Sequence, residues 1–379
     1  MRIAIMNWKD PWHPKAGGAE TYAWETARGL VDLGHEVFFY TSTFRNSELE
    51  PDFVDEIKIV RLGNKYTCYR KVKKAVLAGS WDFVIDVVNT KPFMLPVWQN
   101  DLGRKTESVA LIFQTAEEVW NSEMVFPLSL LGRYLLEPWW LSAYQLFPTW
   151  TISESSKESL EAFGLQNVKV LGIAANLPDK DLYRDLEKSS VVFCARLVKM
   201  KNPFEAIEAF EKMLERFPSL SGVSLEIIGS GPLQKKIEEY STNSKFKINV
   251  HGQISDDEKN RILASSYAVI GTSVREGWGL TMSEGANLGA IPVAYDVPGL
   301  RDSTRAAGGL LSDLNPVALS TQLEKSVRNY ELYRPENEIG LDTWESIAKR
   351  IVSFGEWQVG KVISSSRNAS RFFIALRRK

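Results

Sequence analysis

The sequence predicts an α/β protein built from two Rossmann-like domains, and three observations indicate that class. Short apolar runs alternate with amphipathic helices along most of the chain, as expected for parallel sheets covered by helices. The chain has 379 residues, which suits two domains better than one. Hydrophobic residues make up 44% of the chain and charged residues 25%, the composition of an ordinary globular protein with an ample core.

Composition also excludes several classes of protein. The net charge of −1 gives no indication of a nucleic-acid partner. No apolar stretch reaches the roughly 18 residues of a spanning helix, and the start MRIAIMNWKD carries an acid too early for a signal peptide. Cys68 and Cys194 lie in different halves, which favours a reduced, cytoplasmic setting without disulfides, and three histidines argue against a His-based metal site.

The first predicted domain covers residues 1–175 and begins with a β-α-β unit. Residues 2–8 form an apolar strand, and residues 19–33 repeat apolar side chains at helical spacing until Gly34 ends the helix. The strand HEVFFYTS follows. Gly17 and Gly18 lie in the loop between strand and helix, but the G-x-G-x-x-G pattern of a dinucleotide site is absent.

The rest of this domain continues the alternation. Strands are predicted at 58–62, 83–88, 109–113 and 168–171, with a basic helix at 69–78 and serine N-caps at 153 and 155. The aromatic-rich segment 124–150 leaves two interpretations open. It is either a helix packed in the domain core or a surface that meets a lipid-linked acceptor or the bilayer.

The second predicted domain covers 176–340 and follows a polar linker. A strand at 191–195 leads into the loop ARLVKMKN, and Pro203 begins a helix at its favoured first position. Arg196 and Lys201 therefore lie at the carboxyl edge of a strand, where open α/β sheets bind ligands. Two cations there suit a diphosphate, although a solvated basic loop is the alternative. Asp179-Lys180-Asp181 spells a D-x-D metal motif, but it lies in the linker rather than after a strand.

Residues 268–298 carry the strongest functional pattern. An apolar strand ends near Ile270, Gly277 and Gly279 permit a tight turn, a helix starts near Thr281, and a second strand covers 291–295. Free backbone N–H groups and the positive end of the helix dipole make such a helix start a binding site for phosphate. Glu276 and Glu284 bracket the turn. The alternatives are a Thr281–Glu284 capping box and a solvated carboxylate.

The stretch E-G-W-G-L-T-x-x-E resembles the E-x7-E signature of the retaining glycosyltransferases of family four, which have the GT-B fold. The resemblance implies two domains facing across a cleft and transfer of a hexose from a nucleotide diphosphate sugar, with retention, to a sugar or lipid-linked acceptor. Neither a metal nor a cofactor other than this donor is implied. It implies catalytic roles for Glu276, Arg196 and Lys201. Implied donor contacts are Gly17, Gly18, Arg196, Lys201, Ile254, Glu276, Gly277, Trp278, Gly279, Leu280, Thr281 and Glu284.

Two regions extend or depart from the resemblance. Phe113 or Gln114 stands where relatives commonly have a histidine, so no histidine role is transferred to this chain. Residues 342–357 resemble the family's closing helix, which returns to the first domain and belongs to a predicted third segment, 341–379. The basic tail KVISSSRNASRFFIALRRK within that segment is either a docked terminus or an anchor on anionic lipid. We therefore expect a cytoplasmic protein, with peripheral contact at the inner face of the membrane as an alternative.

Three rival functions from other classes stay open. A nicotinamide dehydrogenase would use the Gly17-Gly18 loop for its cofactor. An epimerase or phosphorylase with the GT-B fold would act on the sugar without transferring it to an acceptor. A protein of this fold that binds nucleotide sugar without transfer is the third. The sequence leaves the nucleobase, the sugar and the acceptor open.

Overall fold

Two parallel sheets organise the protein. The computed structural model describes residues 1–89, 91–103, 105–117, 119–120, 126–183, 186–335 and 339–353. Strands of the first sheet are β1 (Arg2–Met6), β2 (Glu36–Thr41), β3 (Phe53–Val54), β4 (Ile57–Arg61), β5 (Phe83–Val88), β6 (Glu107–Ile112), β7 (Thr149–Thr151) and β8 (Val168–Val170). Their order is β3-β4-β2-β1-β5-β6-β7-β8, and only β3 pairs antiparallel within it.

The second sheet follows in the chain and is parallel throughout. Its strands are β9 (Ser190–Cys194), β10 (Ser224–Ile228), β11 (Ile248–Gly252), β12 (Ser266–Gly271), β13 (Ile291–Tyr295) and β14 (Leu310–Ser312). Their order is β11-β10-β9-β12-β13-β14. The strand order reverses between the neighbouring parallel strands β9 and β12, so their carboxyl ends lie at the switch point where such sheets bind ligands.

Helices cover the sheets. They are α1 (Gly18–Asp32), α2 (Cys68–Leu77), α3 (Leu95–Trp98), α4 (Leu128–Leu131), α5 (Glu137–Ser142), α6 (Glu154–Ala162), α7 (Pro203–Arg216), α8 (Gln234–Asn243), α9 (Asp256–Ala264), α10 (Leu280–Asn287), α11 (Leu300–Ala306), α12 (Pro316–Arg328), α13 (Tyr330–Tyr333) and α14 (344–353). A π-helical turn, Gly132–Leu136, joins α4 to α5. Within the described residues, none of these helices is both long and apolar enough to cross a bilayer.

Successive side chains of β1 point to opposite faces of the first sheet, and helices cover both faces. Ile3 and Ile5 pack with α1 on one side, whereas Ala4 and Met6 pack with α2 on the other. The second sheet has a core of its own. Local signals act as expected: Ser153 caps α6 by accepting from Ser156 N–H, and Gly34, with φ +82°, follows the end of α1.

Helix α14 returns from the second sheet to the first. Ile347 and Ile351 join the core on the α1 side, and Trp344 packs edge-on against Tyr22 with ring centroids 5.3 Å apart. Arg350 Nη1 donates to the Leu171 carbonyl at 2.6 Å. The basic tail beyond 353 lies outside the described residues, and the division into 1–175, 176–340 and 341–379 stays a proposal.

Candidate active site

The β12–α10 junction has the predicted strand–turn–helix form. Helix α10 begins after Gly279, whose φ of +91° suits glycine. The capping-box alternative for Thr281 and Glu284 is wrong, because Gly279 rather than Thr281 is the N-cap, and no side chain in the described part of the chain caps this helix. The N–H groups at the start of α10 thus carry the positive end of its dipole without a side-chain acceptor.

Gly277 is a glycine for a different reason from Gly279. Its backbone does not need a positive φ. A Cβ at this position would lie 3.1 Å from Ile152 Cδ1 and 3.2 Å from the Phe113 carbonyl oxygen, both in the first domain. The turn therefore lies directly against the opposite domain, and a side chain at 277 would push the two apart.

Glu276 and Lys201 meet at this turn. The Lys201 ammonium contacts Glu276 Oε1, and Ser273 Oγ donates to the same oxygen at 2.7 Å. The two charged side chains are only 15% and 18% exposed. Because the pair is neutral as a unit, a diphosphate that bound Lys201 would compete with Glu276 for the ammonium. The two predicted roles are therefore physically linked.

The loop after β9 is fastened to the loop after β12. Thr272 Oγ1 donates to the Lys201 carbonyl at 2.9 Å, and Val274 N–H donates to the Met200 carbonyl at 2.9 Å. A second contact comes from the turn after β10: Gly229 has φ +128°, and a Cβ there would lie 2.0 Å from the Ala195 carbonyl oxygen. Only glycine fits at 229, so the loop that carries Arg196 and Lys201 is clamped from both sides.

Arg196 is exposed. Its charge is one of the causes that lower the pKa of Lys9, after burial, which is the largest cause and is opposed by the charge of Glu20. Lys9 therefore lies within electrostatic range of Arg196 across the cleft. Nothing in the sequence singles out Lys9, which follows β1 in a loop rich in Pro and Trp.

The Gly17-Gly18 element forms the opposite wall of the cleft. A Cβ on Gly18 would lie 3.7 Å from Leu280 Cδ1, so this loop packs beside the first residue of α10. Gly17 N–H donates to Glu20 Oε2 at 2.7 Å, and Lys9 Nζ lies 3.1 Å from Glu20 Oε1. Glu20 is 1% exposed and fixes this wall from within. The Gly17 N–H is therefore already satisfied within this loop.

Glu284 lies on α10 beside the end of β9. Lys259 Nζ, from α9, is 3.3 Å from Glu284 Oε2, and the Glu284 side chain is 24% exposed. The pKa of Cys194 is raised to about 12, first by burial and then by the charge of Glu284. Ile254 follows β11 and is half-buried against the second core. His251 Nε2 pairs with Glu226 Oε2 at 2.6 Å.

The D-x-D spelling does not build a metal site. Asp181 N–H donates to Asp179 Oδ1 at 3.0 Å, so the two carboxylates belong to a local turn. Across the described ranges, no group of three or more His, Cys, Asp or Glu side chains is close enough together to hold a metal ion.

A cavity in the first domain is lined by Phe113 and Gln114 at the end of β6. It measures about 130 Å³ and is lined in part by Asn89, Gln114, Glu137 and Trp140. Burial raises the pKa of Glu137, although its carboxylate accepts from the N–H of Glu117 at 2.9 Å. Gln114 Oε1 is buried without a partner among the described atoms. The cavity thus combines apolar walls with a few polar groups, as small-molecule sites do.

Comparison with known proteins finds a family match in the second half of the chain. Residues 179–338 match the family model described as glycosyl transferases group 1. Over this range the chain is similar to the group 1 glycosyl transferases. The E-x7-E stretch and the loop that carries Arg196 and Lys201 both lie inside the matched group 1 region.

Curated relatives match over different lengths. The poly(glycerol-phosphate) alpha-glucosyltransferase of Bacillus subtilis is 32% identical over 110 residues, which are 29% of this chain and 16% of that protein. One subunit of the human phosphatidylinositol N-acetylglucosaminyltransferase is 21% identical over 90% of this chain and 73% of its own length. The chain thus spans 16% of the length of the first of these relatives and 73% of the length of the second.

Solved structures show the fold of the whole chain. Sucrose-phosphate synthase from Thermosynechococcus elongatus superposes with a TM-score of 0.74 at 16% identity, covering 95% of this chain and 99% of that one. The Anabaena protein HepE, solved with UDP-glucose, gives a TM-score of 0.63 at 16% identity over 96% of this chain and 100% of its own. The predicted GT-B architecture is confirmed.

Proposed function

We propose that this glycosyltransferase is retaining and independent of metal, and that it moves a hexose from a nucleotide diphosphate sugar to a lipid-linked or sugar acceptor. One observation carries the proposal. The Lys201–Glu276 pair lies at the uncapped start of α10, while Arg196, on the same loop as Lys201, lies within electrostatic range of Lys9 of the first domain. A structural neighbour solved with UDP-glucose and a relative named as a poly(glycerol-phosphate) alpha-glucosyltransferase support the substrate class.

The leaving group sets the largest electrostatic demand of such a reaction. When the bond from sugar to phosphate breaks, negative charge develops on the diphosphate, and preorganised donors and cations stabilise it. Arg196, Lys201 and the N-terminus of α10 supply that stabilisation. The cations thereby replace the divalent metal that other transferases use.

The two glutamates divide the donor between them. Glu276, at the turn that abuts the first domain, accepts hydrogen bonds from hydroxyls of the transferred sugar. Glu284, eight residues later beside the end of β9, accepts from ribose hydroxyls. Both carboxylates are half-buried, so their bonds to hydroxyls form away from bulk water and gain strength.

Proton transfer in the proposed reaction needs no side-chain base. The departing phosphate oxygen takes the proton of the acceptor hydroxyl on the face from which it leaves. The acceptor then attacks from that same face, so the configuration at the anomeric carbon is retained. Closure of the cleft excludes water and favours transfer over hydrolysis.

The acceptor side favours a lipid-linked molecule. The cavity beside Gln114 and Trp140 belongs to a region whose outer surface is unusually apolar. Exposed large apolar side chains of this region are Phe126, Leu128, Leu130, Leu131, Tyr134, Leu135, Trp139 and Leu146. Soluble monomers rarely expose an apolar patch of this kind unless it contacts a membrane or partner. We call these eight residues the apolar surface. Leu141 and Tyr144 are buried, as the core interpretation of 124–150 expects, and the apolar surface supports the proposed contact with lipid.

A basic helix lies on the same side of the first sheet as the apolar surface. Val72 and Val76 of α2 pack into the same core cluster as Leu141 and Tyr144, which places both helices in one layer. The exposed side chains of α2 include Arg70, Lys71 and Lys74. Cations on the same side of the sheet as exposed aromatic and leucine side chains suit an anionic bilayer. We therefore place the enzyme in the cytoplasm, in peripheral contact with the membrane.

Donor hydrolysis in EDTA tests the proposed reaction. Purified protein is incubated with UDP-, GDP-, ADP- and dTDP-hexoses of α configuration, and proton NMR follows the first anomer released. We expect slow release of the α-anomer from one donor, unaffected by EDTA. Release of the β-anomer would overturn retention, and a strict need for Mg²⁺ would overturn metal independence. An epimerised nucleotide sugar would favour the epimerase alternative instead.

Vesicle flotation tests the membrane contact. Vesicles that contain phosphatidylglycerol are mixed with wild type and with a Leu135→Ser/Trp139→Ser variant, whose sites are 62% and 63% exposed. Leu314→Ser, 61% exposed on the second domain, is the matched control. We expect only the double variant to lose binding. Equal binding by all three proteins would refute the assignment, and loss only on deletion of 359–379 would assign the contact to the tail.

A further inference from the structure

Arg275 belongs to the second domain, but its guanidinium ends in the first. Nη1 donates to Thr115 Oγ1 at 3.1 Å and to Ser159 Oγ at 3.0 Å, and Nη2 lies 3.1 Å from Glu117 Oε1. Arg275 is 7% exposed. A guanidinium this deeply buried needs such acceptors, because an unpaired buried charge is strongly unfavourable. The side chain is therefore tied to the first domain by charge and geometry together.

The partners of Arg275 are themselves fixed. Thr115 Oγ1 donates to Glu117 Oε1 at 2.5 Å, and the Glu137 carboxylate accepts from Glu117 N–H at 2.9 Å. The loop 113–117, which holds Thr115 and Glu117, directly follows β6 and contributes Gln114 and Ala116 to the wall of the cavity. One loop thus borders the guanidinium on one side and the proposed acceptor cavity on the other.

The residues that follow Arg275 are those proposed to bind the donor sugar. Glu276 N–H donates to the Pro298 carbonyl at 3.0 Å, which fixes the backbone on the second-domain side. On the other side, Ser156 Oγ donates to the Phe113 carbonyl at 2.8 Å, and that carbonyl faces Gly277. The three residues 275–277 therefore take their position from both domains.

We propose that Arg275 is a positioning residue that couples loop 113–117 to Glu276, so that the sugar end of the donor site is complete only when the two domains are closed. The inference rests on the proposed function and adds the contact by which closure reaches the site. Arg275 does not touch the reacting atoms. It fixes the position of the backbone at Glu276, and it holds that backbone against loop 113–117, which borders the acceptor cavity.

A purely structural role for Arg275 would give different results from a positioning role. If the role were structural, replacing Arg275 would lower stability, nucleotide affinity and turnover together. A positioning residue separates them, because Arg196, Lys201 and the start of α10 bind the diphosphate from the second domain alone. Loss of Arg275 then leaves the affinity for a nucleoside diphosphate unchanged and lowers the rate at which the donor is cleaved.

The experiment compares Arg275→Met with Arg350→Met. The control removes a guanidinium that also joins distant segments, through the Leu171 carbonyl and Asp342, away from the site. Calorimetry with UDP, GDP, ADP and dTDP gives nucleotide affinity, and donor hydrolysis gives kcat. We expect Arg275→Met to keep affinity and lose about 10²-fold in kcat, the scale of a ~1 Å misplacement. Arg350→Met should change neither.

Two further measurements keep the test decisive. The reversed pair Arg275→Glu/Glu117→Arg should recover part of the rate that Arg275→Glu alone loses, and small-angle scattering of Arg275→Met should show a larger radius of gyration. Unchanged kcat, or affinity that falls as far as kcat, would overturn the inference. If wild type cleaves no donor, the proposed function fails. Scattering alone then tests whether Arg275 holds the two domains closed. An unchanged radius of gyration in Arg275→Met would overturn that contact.

Discussion

Gly299→Ala is the substitution whose effect on the site follows most directly from the structure. Gly299 has φ +80° and precedes α11. A Cβ there would lie 2.2 Å from the Glu276 carbonyl oxygen, 2.5 Å from its carbonyl carbon and 2.8 Å from its Cβ. Ordinary contacts begin near 3.4 Å, so the backbone of Glu276 would have to retreat by more than 1 Å. The new methyl group would therefore displace Glu276 without altering its side chain.

Two costs follow from that displacement. A residue other than glycine at φ +80° and ψ −52°, a sparsely populated backbone region, costs about 1–3 kcal/mol of stability. Misplacing a substrate-positioning group by about 1 Å costs about 10²-fold in rate. We expect Gly299→Ala to fold, to be moderately destabilised towards urea, and to lose about 10²-fold in donor hydrolysis.

Gly308→Ala separates the two costs, because it lies just beyond the other end of α11. Its φ is +66°, and nothing lies within 4 Å of a Cβ there. This control should lose less stability than Gly299→Ala in urea denaturation, because its Cβ meets no other atom, and it should keep its activity. Equal activities in Gly299→Ala and Gly308→Ala would refute the reasoning, since backbone strain alone would then account for both.

Three other substitutions test separate parts of the proposed mechanism and fold. Arg196→Ala should weaken nucleoside diphosphate binding by about 10-fold or more in calorimetry, since bonds to charged groups contribute about 1.5–3 kcal/mol; unchanged affinity would exclude Arg196 from the phosphate site. Glu284→Gln should weaken binding of the nucleoside diphosphate but not of inorganic pyrophosphate, which has no ribose, and equal losses would contradict the ribose role. Burial raises the pKa of Asp86 to about 6 from 3.8, despite its bond from Tyr144 OH. The protonated carboxyl of Asp86 contributes its full stabilisation below pH 3.8, and this contribution is lost as the pH rises through about 6. The side chain of Asp86→Asn does not titrate, so its free energy of unfolding should rise by about 3 kcal/mol relative to wild type between pH 4 and 7 in urea titrations. Parallel pH profiles of the two proteins would contradict this.

Apolar runs were sufficient to predict the strands that form the two cores. β5 and β13 are buried at every position, so each appears in the sequence as a continuous apolar segment apart from Asp86. β7 escaped prediction because it has only three residues, two of them threonine, within an aromatic-rich stretch. β3 was missed because a two-residue antiparallel strand leaves no period to detect.

Some residues of the site belong to a continuous sequence motif, whereas others come together only when the chain folds. The E-x7-E stretch is continuous in sequence, so its pattern located Glu276, Glu284 and the start of α10. Arg275 could not be found that way, because its partner Thr115 lies 160 residues earlier and only folding brings the two together. The same holds for Lys9, which comes within electrostatic range of Arg196 only when the chain folds. A lysine in a Pro- and Trp-rich loop carries no local signal of that proximity.

Calorimetry of nucleoside diphosphates in EDTA tests the central claim most directly, namely that α10, Arg196 and Lys201 bind a diphosphate without a metal. UDP, GDP, ADP and dTDP are titrated into wild type and into Lys201→Met. We predict that at least one of them binds wild type equally well with EDTA and with Mg²⁺, and that Lys201→Met binds it more weakly. Binding that appears only with Mg²⁺, or that survives Lys201→Met unchanged, would contradict the claim.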